Sequence, residues 1–167
     1  MRSADKSEQF LSIINSNKGI IYKIANSYCK NDEYRNDLVQ EIIIQLWKSF
    51  ENYNEQYGHS TWMYRISLNV AISFYRKRRK NLSTQLTDNI IALSAEEEPG
   101  DLEENIILLY QFINELDELN KALMLLYLDN KTHKEMAEVL GITETNVATK
   151  IGRIKEKLKK KFSLANE

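Results

Sequence analysis

With 167 residues, an apolar fraction of 43% and a net charge of −1, the chain has the length of one medium domain or two small ones and is too apolar to be disordered. A single cysteine, Cys29, excludes an internal disulfide, no apolar run reaches bilayer length, and no charged-apolar-small leader opens the sequence; a reducing cytoplasm without membrane insertion is the expectation. One proline, five glycines and the lack of any sustained strand alternation make the expected fold all-α.

The first half reads as three helices. Phe10, Leu11, Ile14, Ile21, Ile24, Ala25 and Tyr28 form the stripe of the first, with a break expected near Lys18-Gly19. The second begins after Asn31-Asp32. Val39, Ile43, Leu46 and Phe50 are its expected core stripe, and Asp37, Gln40, Glu41, Ile44, Trp47 and Lys48 lie elsewhere on its circumference. A Trp and an Ile beside two carboxylates have the character of a protein-binding surface; the alternative is that Trp47 folds back into the core.

After the loop from Asn52 to Gly58, Trp62, Ile66, Val70 and Phe74 recur every four residues and predict the buried side of a third helix. Arg65, Asn69, Ile72 and Arg76 share another side, and the run from Arg76 to Lys80 contains no acidic residue. A basic helix end joined to aromatic rings and an amide suits a nucleic-acid strand, whose phosphates attract cations and whose bases stack on flat partners. A solvated charged tail on an amphipathic helix is the simpler alternative.

Residues 81–103, with Ser, Thr, Asn, the triplet Glu96-Glu97-Glu98 and Pro99-Gly100, read as an acidic flexible linker with a short helix near Ile90 to Leu93. The triplet is not a catalytic carboxylate pair, because nothing in the pattern holds it in a pocket. No Lys or Arg occurs from Leu82 to Asn120, so an acidic middle separates two basic blocks, Arg65 to Lys80 and Lys131 to Lys161. Salt screens such fields over roughly 8–10 Å, so each block acts locally despite the neutral total.

The second half opens with helices over Glu104 to Leu116 and Asp117 to Leu128. Thr132 with Glu135 three residues on has capping-box spacing, Met136, Ala137 and Leu140 form the inner face of a short helix, and Gly141 ends it. Ile142 buries the turn, Thr143 caps the next helix, and Val147, Ile151, Ile154 and Leu158 stripe it. This is a helix-turn-helix whose second helix exposes Thr145, Asn146, Ala148, Thr149, Lys150 and Arg153 toward a major groove, followed by the basic tail Lys155, Lys157, Lys159, Lys160 and Lys161.

The order of these parts resembles the extracytoplasmic-function (ECF) group of the sigma-70 family, small two-domain sigma factors of bacterial RNA polymerase. Asp37 to Trp47 resembles the family's polymerase-clamp-binding helix, Thr61 to Ile66 through Arg76 to Arg79 the segment that opens and reads the −10 element, and Thr132 to Lys155 the helix-turn-helix that reads the −35 element. The resemblance implies a region 2-like three-helix domain over 1–80, a linker over 81–103 and a region 4-like helix-turn-helix domain over 104–167.

It further implies polymerase contacts from Asp37, Gln40, Glu41, Ile44 and Trp47. The −10 contacts would come from Tyr57, His59, Ser60, Trp62, Arg65, Asn69, Arg76, Lys77, Arg78 and Arg79, and the −35 contacts from Thr145, Asn146, Thr149, Lys150 and Arg153. Arg153 is the first choice for bidentate guanine reading. His59 stands where the family usually has Phe, Ser73 where Asp is frequent, Ala148 where a basic residue is frequent and Thr145 where Gly is common, which bears on the promoter sequence rather than the role.

The implied function is a transcription initiation factor that binds core RNA polymerase, locates promoters through −10 and −35 elements and helps melt them, with an inhibitory anti-sigma protein as a further partner of the kind the family has. A stand-alone helix-turn-helix regulator is the alternative, and it leaves Asp37 to Trp47 unexplained. An enzyme acting on nucleic acid is disfavoured by two isolated histidines, one cysteine and no phosphate-cradling glycine loop. No catalytic residue, metal site, cofactor or small-molecule substrate is assigned: His59 has no second ligand nearby, His133 reads as a surface residue, and Cys29 as a packed thiol.

Overall fold

The computed structural model of the protein describes residues 3–53, 55–81 and 101–165, and all its regular structure is helical. The first helix, α1 (Ser3–Tyr28), leaves helical geometry at Asn17 (φ −126°, ψ 15°), where the side-chain amide donates to the Ile13 carbonyl at 2.9 Å. The break expected at Lys18-Gly19 thus sits one residue earlier, at an asparagine whose side chain competes with the backbone for hydrogen bonds. Phe10, Ile14, Ile21, Ile24, Ala25 and Tyr28 point inward as expected, whereas Leu11 faces solvent.

Helix α2 (Asp32–Ser49) is capped by Asn31, whose side-chain oxygen accepts from the Glu33 and Tyr34 backbone N–H groups at 3.0 and 3.3 Å. Asp32 and Glu33 in its first turn and Lys48 in its last complement the helix dipole. Its fully buried residues are Leu38, Val39, Ile42 and Leu46; Ile43 and Phe50, expected in the stripe, are only half-buried. A short 3₁₀ turn over Phe50–Asn52 leads toward α3 (His59–Asn81).

Helix α3 corrects the sequence reading most. Trp62 is buried, but Ile66, Val70 and Phe74 are half-buried, and the core positions are Met63, Tyr64, Ser67, Leu68 and Ala71. The reason is that α3 packs against α1 and α2 on one side and against helices of the second half on the other, so its buried arc is wider than a single stripe.

The second half consists of α4 (Asp101–Asn114), α5 (Glu118–Leu128), α6 (His133–Leu140) and α7 (Glu144–Ala165). Asp117 caps α5 by accepting from the Asn120 N–H at 2.8 Å, and α5 is buried from Lys121 through Leu126. The α6 capping box forms in both directions: the Glu135 N–H donates to Thr132 Oγ1 at 3.1 Å and the Thr132 N–H to Glu135 Oε2 at 2.8 Å. Thr143 accepts from the Asn146 N–H at 3.1 Å at the start of α7, which buries Val147, Ile151, Ile154 and Leu158. Phe112 of α4 meets Phe162 of α7 edge-on at 5.2 Å, and Lys161 pairs with Glu115, tying α4 to the end of α7.

Gly141 closes α6 in the left-handed region (φ 69°, ψ 33°), with its N–H donating to the Ala137 carbonyl at 2.9 Å. A Cβ there would meet no atom within 4 Å, so the demand on glycine is purely conformational. Gly141→Ala is expected to lower stability by about 1 kcal/mol, the left-handed strain less the entropy removed from the unfolded chain. Urea unfolding should show a lower midpoint with an unchanged slope.

Candidate nucleic-acid interface

The outer face of α2 presents Asp37, Gln40, Ile44, Trp47 and Lys48 to solvent, with Glu41 half-buried and accepting from Gln45 Nε2 at 3.0 Å. Ile44 is 47% and Trp47 40% exposed, so two large apolar groups share this face with carboxylates. Trp47 is not wholly committed to the surface. Its ring packs edge-on against Phe10 at 5.0 Å, with Lys6 Nζ 5.7 Å above it, so one part of the indole belongs to the core and the rest is open.

At the start of α3 a cleft of about 120 Å³ is lined by Asn52, Tyr53, Tyr57, Thr61, Trp62, Arg65 and, from the second half, Glu138. Tyr53 organises it. Its ring lies 4.9 Å from Trp62, 5.4 Å from His59 and 6.4 Å from Phe50, and its hydroxyl donates to the Tyr57 carbonyl at 2.6 Å, which fixes the loop. Neither Tyr53 nor Asn52 was singled out in the sequence, although an aromatic in a polar loop beside a basic helix was a usable signal. Trp62 is 8% exposed, so its ring is a wall of the aromatic cluster and not an open stacking plate.

Farther along α3, Arg65, Asn69, Arg76 and Lys77 are exposed, and the first three share one side. Arg76 Nε lies 3.5 Å from Glu118 Oε1, and Ser60 Oγ accepts from Lys131 Nζ at 2.6 Å. Arg78 is half-buried, its guanidinium stacked on the Tyr34 ring and 5.1 Å from the centre of Phe74, which leaves its edge N–H groups for other partners. The Arg79 side chain lies outside the described residues, as does the short helix expected near Ile90 to Leu93.

On α7, Thr145, Asn146, Thr149 and Arg153 are exposed and Lys150 half-buried, on the side away from the Val147, Ile151, Ile154 and Leu158 stripe. Thr149 Oγ1 donates to the Thr145 carbonyl at 3.0 Å, which fixes its side chain. Lys155 sits 4.3 Å over the Tyr127 ring, and Lys157, Lys159 and Lys160 continue the basic surface with Glu156 among them. This is the disposition of a recognition helix, with short polar side chains and an Arg at its front and cations behind. Cys29 is buried, and burial pushes its thiol upward in pKa against the lowering effect of Arg78 and Arg35, which suits a packed thiol and not a reactive one.

Sequence profiles of Sigma-70 region 2 and Sigma-70 region 4 match residues 13–81 and 106–158. The ECF RNA polymerase sigma factor SigW of Bacillus subtilis (strain 168) is 25% identical over 167 aligned residues, spanning 93% of this chain and 89% of its own length. SigZ of the same organism, an RNA polymerase sigma factor, is 29% identical over 124 residues, covering 74% of this chain and 69% of its own.

The chain belongs to the ECF group of the sigma-70 family.

The fold of this sigma factor agrees with two solved structures. CnrH, in complex with the cytosolic domain of CnrY, superposes with a TM-score of 0.66 at 19% identity over 95% of this chain and 90% of its own. RpoE of Bartonella quintana, in complex with the anti-sigma factor NepR, gives 0.64 at 18% identity over 93% and 95%. As a sigma factor the protein is a promoter-directing transcription initiation factor that binds core RNA polymerase and promoter DNA. The reading as a stand-alone helix-turn-helix regulator is not favoured, since it leaves the region 2 match without a role. Among the described residues no helix is long and apolar enough to cross a membrane.

Proposed function

We propose that three surfaces divide the work of this sigma factor. The Asp37, Gln40, Glu41, Ile44 and Trp47 face of α2 docks on core polymerase; the cleft around Tyr53 and Tyr57 with Arg65 and Asn69 holds unstacked bases and phosphates of the −10 strand; α7 reads the −35 element. His59, Ser60 and Trp62 shape the cleft, and Arg76, Lys77, Arg78 and Arg79 hold adjacent duplex phosphates. Thr145, Asn146, Thr149 and Lys150 position α7, and Arg153 reads a base edge. The functional division follows residues 1–80 and 104–167, joined by 81–103.

The observation that carries this reading is the cleft at the start of α3. Flat aromatic walls, an amide and an exposed guanidinium converge there at the head of a basic helix, the group types that a flipped or unstacked base and its phosphate require. The sigma factor itself performs no catalysis, works in the cytoplasm, and has an anti-sigma protein as a partner, of the kind that NepR is to RpoE. Size-exclusion chromatography with sigma-free core polymerase tests the reading. Co-elution at micromolar concentration, with promoter-dependent transcription by the assembled enzyme, is the expected result; clean separation would overturn it.

A further inference from the structure

The turn that joins α1 to α2 is fixed from both of its ends. Asn31 accepts from the Tyr34 backbone N–H at 3.3 Å. The neighbouring Arg35 uses its guanidinium on the chain itself, donating to the Cys29 and Lys30 carbonyls at 3.2 and 3.1 Å and to Asp32 Oδ1 at 2.8 Å. Arg35 is thereby committed to the end of α1, and the half-buried Tyr34 ring between these anchors has a set position.

Arg78 of α3 lies across that ring. Its Cζ sits 2.9 Å above the Tyr34 ring centre and 5.1 Å from the centre of Phe74, which precedes it by one helical turn on the same face. A guanidinium that close to a ring lies along its plane, so its N–H donors point outward around the rim. Among the described residues no carboxylate pairs with Arg78 and no hydrogen bond engages it, in contrast to Arg35 with its three acceptors and Arg76 beside Glu118.

We infer that Tyr34, a residue outside the three surfaces assigned above, is a positioning residue for DNA: it is the plate that holds Arg78 as a two-pronged fork for one backbone phosphate of the duplex. The inference rests on the duplex-phosphate role proposed for Arg78. A free arginine gives up rotamer freedom to make two parallel N–H···O bonds, and stacking has removed part of that freedom before the phosphate arrives. The face of the guanidinium is weakly hydrated and gains from the ring, while its edge keeps the geometry that bidentate phosphate binding requires. A solvated basic tail has no need of such a plate, because a hydrated point charge acts equally well from any orientation.

The test measures binding of the full chain to a fluorescein-labelled, mixed-sequence duplex of about 20 base pairs across a salt series. Every protein carries Lys157→Gln and Lys160→Gln, so that α7 contributes less. Arg78→Gln should weaken binding about tenfold and make the fall of log K with log salt shallower by about 0.9, the loss of one phosphate contact. Arg78→Lys should keep the salt dependence but recover only part of the affinity. Tyr34→Leu, which keeps apolar bulk without a flat face, should weaken binding about fivefold and keep most of the salt dependence, because the charge remains. Tyr34→Phe should match the parent chain. In the Arg78→Gln chain, Tyr34→Leu should have no further effect, because the plate acts only through the guanidinium. Parent-like binding by Tyr34→Leu or Arg78→Lys, or a Tyr34→Leu effect of the same size with and without Arg78, would overturn the inference and leave the duplex-phosphate role of α3 standing. Parent-like binding by Arg78→Gln would remove Arg78 from that surface and the plate with it. Polymerase co-elution is read separately, so neither result is confused with failure of the sigma-factor reading.

Discussion

Replacement of Ile44 by Lys is expected to weaken binding to core RNA polymerase at least about 30-fold, the effect of losing roughly 2 kcal/mol from an apolar anchor at the centre of an interface. Ile44 is nearly half exposed and sits one turn from Glu41 and Lys48, so the change should leave the thermal midpoint within the range of ordinary surface substitutions. Trp47→Ala is a less clean variant. It removes surface from the same face, but also the edge-on contact with the buried Phe10, so it should lower stability by about 1 kcal/mol or more in addition to weakening the complex. Core-polymerase titration beside thermal unfolding separates the two effects. Wild-type affinity in Ile44→Lys would remove α2 from the interface.

Raising the pH above about 10 is expected to destabilise the docked protein steeply. Burial holds the Tyr64 hydroxyl above the usual tyrosine range, reinforced by its hydrogen bond to Asp129 and that carboxylate's charge; burial also raises Tyr28, with Glu118, Asp117 and Tyr75 adding to it. A group whose folded pKa is raised contributes stability that is complete below its unfolded value, near 10 for tyrosine, and is lost as pH climbs beyond it. Each of the two tyrosines then withdraws about 1.4 kcal/mol per pH unit.

Lys121 acts in the opposite sense. Burial, with Lys30 nearby, depresses its pKa against the raising effect of Glu118, so the unfolded chain binds more protons there and stability improves as pH rises toward its unfolded value of about 10.4. Urea titrations should therefore show a shallow gain toward pH 10 and then a fall. The Tyr28→Phe, Tyr64→Phe double variant should lose most of the fall. An unchanged alkaline profile in that variant would mean that other groups set it.

The helix-turn-helix was legible because its determinants are local. Thr132 and Glu135 bond within three residues, Gly141 supplies a conformation other residues resist, and Thr143 caps the following turn, so each signal lies inside a few residues of sequence. The outward face of α2 was legible for the same reason. Its periodicity separates Asp37, Gln40, Ile44 and Trp47 from the buried Leu38, Ile42 and Leu46, even though the assumed stripe misplaced Ile43 and Phe50. The cleft at the start of α3 was half legible. Arg65 and Asn69 stood out as helix positions, while Tyr53 gained its place only through rings that meet across the loop.

What the sequence by itself determined is the helical content, the caps and turns, the charge blocks and the family, because each is written in residue type at short spacing. The tertiary structure alone decided which arc of α3 is buried, that Trp47 belongs partly to the core, and that the halves lock through Tyr64 with Asp129 and Tyr28 with Glu118. Those pairs join residues 65 and 90 positions apart. No local period encodes such a contact; it exists because α3 is covered from both sides, and burial from two directions turns a lysine in a leucine-rich helix and a tyrosine in a basic one into the polar joint of the fold.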